Sequence, residues 1–322
     1  LDCAVIDGGI KLGQVNLASV DMEFPDQGLP LAVERVYDSR SLDGDFGPGW
    51  NLPHKEVAAQ PTLELAGGWD ETQGGGIWRT LSSTSSTWES IMSDGFGDPG
   101  NKEVFRLVEF DGYLYASTWK YDGTGMEIWR SGAGDALSWS QVYTDGCGDA
   151  DNQVALSFEV FSNRLYAGTY NEASGGEVWR SSDGSVWSQV NDDGFGTADN
   201  WGVSALEAFD GWLYASTRGS TSADGAQVWR CQDCDGSDWE RVVDDGFGNG
   251  DTRGMSGLEV FDSQLYFVVG NATTGMEIWH TADGANWLRT GSAGFGNSNN
   301  LAPYWDSSMI VFDETLYVGT WN

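Results

Sequence analysis

Leu165-Tyr166-Ala167-Gly168-Thr169-Tyr170, then Gly176-Glu177-Val178-Trp179-Arg180-Ser181, a turn at Asp183-Gly184, and Trp187-Ser188-Gln189-Val190 form the stretch that decides the fold. Just upstream, Ser157 to Phe161 is another short apolar run, closed by the turn Ser162-Asn163. Runs rich in aromatic and β-branched residues, bounded by Gly, Asn and Asp, are strand signals. One unit therefore reads as four antiparallel strands.

The unit repeats. Ile-Trp or Val-Trp recurs at Trp78, Trp129, Trp179, Trp229 and Trp279, spaced 51, 50, 50 and 50 residues. A second tryptophan follows at Trp88, Trp139, Trp187, Trp239 and Trp287, and Leu-Tyr recurs at Tyr115, Tyr166, Tyr214, Tyr266 and Tyr317. Asp-Gly-Phe-Gly recurs at 94–97, 193–196 and 245–248, with Cys147 or Ala293 altering the other two copies. Helical periodicity is absent. Four-stranded units in tandem are the signature of propeller blades. The ends complement one another: Gly76-Ile77-Trp78-Arg79 reads as an outer strand, and Leu316-Tyr317-Val318-Gly319-Thr320 as an inner one. Joined, they predict an all-β, five-bladed propeller over 71–322, with a terminal blade shared between 76–92 and 309–320. Such closure pairs strands that are otherwise exposed edges.

The 45 glycines fit many tight turns, and the 17 tryptophans fit a recurring packing position. Lys+Arg 16 against Asp+Glu 49 gives a formal net charge of −33, which repels phosphate backbones and excludes nucleic acid as a partner. No apolar run reaches the roughly 20 residues of a membrane helix. The start at Leu1, without methionine or signal sequence, reads as a processed form. The Cys231-x-x-Cys234 pair runs into the turn Asp235-Gly236, with no second pair at zinc spacing, so a hairpin-end disulfide and an extracellular or cell-surface setting are expected.

Residues 1–70 lack the repeat and read as a β-rich arm, with strand composition at Gln14 to Phe24 and Leu31 to Tyr37. Leu29-Pro30-Leu31, then Arg35, Tyr37 and Ser39, then Gly47-Pro48-Gly49-Trp50 resemble the leader of RHS/YD-repeat proteins. That resemblance implies a secreted or surface-associated origin. The turns Ser181 to Trp187 and Thr281 to Trp287 resemble a shortened Asp-box of sialidase-type propellers, which in that family stabilises hairpins away from the active site.

Catalytic signals are sparse, and the chain is expected not to be an enzyme. His280 takes the place held by Arg79, Arg130, Arg180 and Arg230, which reads as structural. Glu127, Glu177 and Glu277 repeat at one position, with Gln227 in the remaining copy, and Glu109, Glu159, Glu207 and Glu259 are read as equivalent at another. Rings of glutamate beside repeating arginines suggest ion pairing between blades. The long links carry Trp119, Tyr170, Trp201, Arg218, Tyr304, Trp305 and Trp321, a set that suits stacking on sugars, protein recognition or simple capping of the ring. They also carry Asp94, Asp98, Asp145, Asp149, Asp151, Asp193, Asp199, Asp245 and Asp251, candidate oxygen ligands for calcium, although Asp is an ordinary turn former too. Asn271-Ala272-Thr273 is a glycosylation acceptor pattern. The function expected from these features is binding and self-assembly, with the arm adding strands to other copies of the chain in a filament or surface layer. A lectin-like carbohydrate-binding propeller is the alternative, and a glycoside hydrolase a weaker one.

Overall fold

The computed structural model describes residues 16–24, 31–38, 50–51, 64–80, 87–132, 134, 138–219, 225–253, 257–302, 309–312 and 314–320. The chain divides into two compact units, 1–64 with 80–87, and 65–79 with 88–322. In the first, Asn16–Phe24, Leu31–Asp38 and Trp50–Asn51 form an antiparallel sheet in that order. Phe24 lies opposite Leu31, Asn16 opposite Asp38, and Tyr37 opposite Trp50. These strands pair with each other, which gives their facing backbone groups partners within the unit.

The second unit is an all-β propeller built of successive antiparallel sheets. Sheet I holds Glu64–Gly68, Gly76–Thr80 and Glu89–Met92. Sheet II holds Glu103–Phe110, Tyr113–Trp119, Ile128–Ser131 and Trp139–Tyr143, and sheet III holds Val154–Phe161, Arg164–Tyr170, Val178–Ser181 and Trp187–Gln189. Sheet IV holds Asn200–Phe209, Trp212–Gly219, Val228–Cys231 and Glu240–Val243. Sheet V holds Thr252–Arg253, Leu258–Phe261, Gln264–Asn271, Glu277–Thr281 and Leu288–Thr290, and a hairpin of Met309–Phe312 with Thr315–Val318 follows.

The shared blade expected from the ends is not the pairing found among the described residues. Gly76–Thr80 lies between Glu64–Gly68 and Glu89–Met92, while Met309–Phe312 pairs with Thr315–Val318. Close approach explains why the inner strand of sheet I carries no Leu-Tyr. A Cβ on Gly67 would lie 2.3 Å from the Val104 carbonyl oxygen, and one on Gly68 2.7 Å from the Trp78 ring.

Apolar side chains from facing sheets interleave at each junction. Ile77, Ile91 and Met92 pack with Val104 and Ala116; Phe110, Tyr115 and Ile128 pack with Ala155, Leu165 and Trp187. Tyr166 and Val178 meet Val203 and Leu213, and Tyr214 and Val228 meet Leu265 and Phe267.

The links between sheets add a second device. In Asp-Gly-Phe-Gly the Gly and Phe both take left-handed backbone angles, with φ of 55° at both Gly194 and Phe195. A left-handed non-glycine residue costs about 1 kcal/mol. The Phe ring offsets that cost by stacking on the tryptophan of the sheet being entered: Phe96 on Trp129 at 4.6 Å, Phe195 on Trp229 at 4.9 Å and Phe247 on Trp279 at 4.1 Å.

Cys231 and Cys234 are bonded to each other, as expected, with both residues fully buried. Cys147 is a buried free thiol whose pKa is pushed well up, first by burial and then by the charge of Glu177. Alkylation of the native protein is expected to leave all three untouched. Cys147 should react on unfolding, and the pair only after reduction. A Cys147 adduct in peptides from the native protein would contradict this packing.

Candidate functional site

The link aromatics of the sequence reading separate into support and surface. Trp119 and Tyr170 are 4% exposed and pack with Val154, Leu156, Phe105 and the half-buried Trp201, while Arg218, 6% exposed, lies over Tyr170. Tyr304, Trp305 and Trp321 lie outside the described residues. Among the exposed rings are two beside Trp119 that the sequence reading passed over, Trp69 at 48% exposure and Tyr121 at 55%. The expected boundary at residue 70 left Trp69 in the arm, whereas it belongs to the second unit, although a signal for it was present. Trp69-Asp70 followed by Gly74 matches Tyr170-Asn171 followed by Gly175, and the two stretches behave alike: Asp70 Oδ1 accepts from the Thr72 and Gln73 amides as Asn171 Oδ1 does from Ala173 and Ser174.

Trp69 is anchored by its bridge to Glu103 and by the Asp70 amide donating to the Lys102 carbonyl. Its ring meets the edge of Trp119 at 6.2 Å and stands 6.0 Å from Tyr121, with the two exposed planes 65° apart. Tyr121 leans on Trp119 at 4.9 Å. Beneath them Phe105, the extra residue of a β-bulge between Val104 and Arg106, supports Trp119 edge-on at 5.3 Å. Burial and the Glu103 charge push the Tyr121 phenol up to about 12, so it remains a neutral hydrogen-bond donor at physiological pH.

The cations nearby are engaged by the protein. Burial works against the Lys120 charge, but its bonds to Asp98 at 2.8 Å and Glu127 at 2.9 Å outweigh that and raise its pKa. The same contact lowers the pKa of Asp98. Lys102 Nζ donates to the Glu71 carbonyl at 2.6 Å, Arg106 lies over Phe105 and Arg218 over Tyr170.

Several of the aspartates expected as calcium ligands accept hydrogen bonds within or beside their own loops. Asp94 accepts from the Gly97 amide, Asp98 from the Gly100 amide, Asp149 from the Asp151 amide and Asn171 Nδ2, and Asp193 from Gln189. Asp145 accepts from Thr144, while Asp151, Asp199 and Asp251 are exposed. The Asp245 side chain lies outside the described residues, among which no three acidic, His or Cys side chains gather as a metal-binding group. Asn271, expected as a glycan acceptor, is fully buried, its Oδ1 accepting from the Thr273 and Thr274 amides. An amide committed to that turn is closed to modification in the folded chain.

The two glutamate sets also differ from expectation. Glu127 and Glu177 each accept from a link asparagine (Asn101, Asn152) and from the indole two residues on. Gln227 makes the same pair of bonds with Asn200 and Trp229, so the position requires an acceptor oxygen and no charge. In the other set Glu109 is out of register. It lies opposite Leu114, whereas Glu159, Glu207 and Glu259 lie opposite Tyr166, Tyr214 and Tyr266, and Val108 holds that place in sheet II. The remaining three are partly buried, and all three are raised. Burial and then Glu259 push Glu159 up to about 7; burial, then Glu159 and Glu259, push Glu207 up to about 8; burial raises Glu259. His280 stacks on Tyr266, with Nδ1 2.5 Å from Gln264 Oε1. A shallow cavity beside it is lined by Asp283, whose carboxylate already accepts from the Ala285 and Asn286 amides.

Residues 10–63 match the family model described as Domain of unknown function (DUF6531). No curated protein matches the chain. Among solved structures, the propeller is similar to a polysaccharide lyase of family PL25, an ulvan lyase, at 10% identity over 80% of this chain and 77% of that one, with a TM-score of 0.49. It is similar to a Trypanosoma rangeli sialidase at 12% identity, covering 79% of this chain and 49% of that one (TM-score 0.44), so it spans about half of that enzyme. It is also similar to the Bacillus subtilis arabinanase Arb43A at 13% identity, covering 67% and 87% (TM-score 0.41). At these identities the likeness is one of fold. It nonetheless corrects the expectation that the chain is not an enzyme, because the neighbours of this architecture are themselves named as a lyase, a sialidase and an arabinanase.

Proposed function

We propose that the second unit is a carbohydrate-binding propeller that presents Trp69 and Tyr121 to sugar rings. The observation that carries this is a pair of exposed aromatic rings held at fixed angles on an aromatic base of the buried Trp119 and Tyr170 and the half-buried Phe105. Aromatic faces bury the apolar faces of sugars, and a neutral phenol with nearby carboxylates hydrogen-bonds their hydroxyls. The Cys231–Cys234 disulfide supports an extracellular setting. Removing one stacking ring is expected to cost about 1.4 kcal/mol, a tenfold loss of affinity. Isothermal titration of native, Trp69→Ala and Tyr121→Ala proteins with soluble polysaccharides measures this; equal affinity in all three would sink the assignment.

A second reading, glycoside cleavage, is favoured by one observation. Glu159 and Glu207 are partly buried carboxyls pushed up to about 7 and about 8, toward the protonated state a general acid needs at neutral pH. A hydrolysis screen comparing the native protein with Glu207→Gln separates it from binding alone.

A further inference from the structure

Ring angles and local charge together say which kind of polysaccharide the aromatic face accepts, granted the carbohydrate reading above. A crystalline polymer surface is flat, and rings that bind it must lie in one plane. Here the two exposed planes differ by 65° with centroids 6.0 Å apart, and Trp119, the ring that both lean on, is buried and stands 87° from Trp69. No flat lattice touches both exposed faces. A hydrated single chain does, because consecutive sugar rings turn about the chain axis.

The angle is built in. Trp69 is held by its bridge to Glu103 and by the edge of Trp119. Tyr121 sits in a link where Asp122 Oδ1 accepts from the Thr124 amide. A preorganised bend lowers the ordering cost for a ligand of matching twist and not for others.

Charge narrows the class further. Asp70, Glu71 and Glu172 are exposed around the face, and Asp98 is half-buried beside them. The cations nearby are turned to protein partners: Lys120 to Asp98 and Glu127, Lys102 to the Glu71 carbonyl, Arg106 to Phe105 and Arg218 to Tyr170. On a chain of net charge −33 such a rim repels polyanions. Neutral hydroxyls, by contrast, find acceptors in these carboxylates and a donor in the Tyr121 phenol.

We propose that the Trp69–Tyr121 face takes two consecutive sugar units of a single, twisted, neutral polysaccharide chain, and rejects both crystalline surfaces and anionic glycans.

Native gels cast with soluble neutral polymers (mixed-linkage β-glucan, arabinan, galactomannan), with polygalacturonate or with alginate, beside pull-downs on microcrystalline cellulose and chitin, test this. Retardation by at least one neutral polymer is expected, weakened about tenfold or more in Trp69→Ala and in Tyr121→Ala. Trp88→Ala removes an equally exposed ring elsewhere and should behave as native. Thermal melts of each variant confirm folding. Retention on the crystalline solids, or salt-sensitive retardation by the polyanions with the neutral polymers inert, overturns the class while leaving a carbohydrate site in place. Silence with every polymer removes the carbohydrate reading itself, and this inference with it.

Discussion

Glu207→Gln is expected to melt well above the native protein at pH 9 and alongside it at pH 4. In the unfolded chain the carboxyl ionises near 4.5, and in the folded chain at about 8, because burial and the charges of Glu159 and Glu259 oppose ionisation. Between those values the folded state keeps a proton that the unfolded state has released. Native stability attributable to this group is therefore complete below about pH 4.5, declines as pH rises, and is lost above about 8. At about 1.4 kcal/mol per pKa unit, and allowing for coupling among the three carboxyls, the substitution should recover about 3 kcal/mol at pH 9. For a domain of this size that is a rise of roughly 5–10 °C in melting temperature. Scans from pH 4 to 9 measure it, and parallel curves for the two proteins would refute the assignment of the buried charge.

Gly125→Ala should be among the most damaging single-methyl additions in the propeller. Gly125 has φ +79°, and a Cβ there would lie 2.4 Å from the Gly146 nitrogen and 2.6 Å from the Asp145 carbonyl carbon. Both are backbone atoms, so relief requires the link at 144–149 to move away from sheet II. That movement breaks the bond from the Gly146 amide to the Met126 carbonyl and strains the one from Asn152 Nδ2 to the Gly146 carbonyl. The expected loss is about 4 kcal/mol, the left-handed angle plus a steric and hydrogen-bond penalty. Gly123 is the control. It has φ +76°, and a Cβ added there would meet nothing within 4 Å, so Gly123→Ala should cost only the conformational part, about 1 kcal/mol. Urea unfolding midpoints for the two variants distinguish packing from backbone preference; equal losses would mean the close approach at Gly125 contributes nothing.

The propeller was legible because its strands carry bulky landmarks at fixed spacing. Where a landmark was replaced by a small residue, the reading failed. Glu64–Gly68 holds the inner-strand place with Ala-Gly-Gly, and its absence from the repeat count led to the expected pairing of 309–320 with 76–92. Glu109 was misaligned by one residue, since counting from Trp cannot see which face of a strand a side chain occupies, whereas the pairing opposite Leu114 can. At the candidate site, the sequence reading identified the link that carries Tyr121 but left Trp69 in the arm, and it did not show which aromatics reach solvent. Trp119 and Tyr170 end the inner strands and are swallowed by the packing, while Trp69 and Tyr121 lie just beyond it.

Along the junctions from sheet I to sheet V, the phenylalanine-on-tryptophan stacks have one gap. At the entry to sheet III the Phe position is Cys147, and Trp179 is approached by Tyr143 at 6.1 Å and a tilt of 48°, in place of a parallel ring. In a row of units that touch only their neighbours, stability is a sum of unit and junction energies, so cooperativity breaks where a junction is weakest. Sheets III to V share parallel stacks at each junction between them, and sheets I and II share another. The row is thus punctuated into two blocks at the II–III junction, and unfolding fluctuations that stop short of the whole domain concentrate at that boundary.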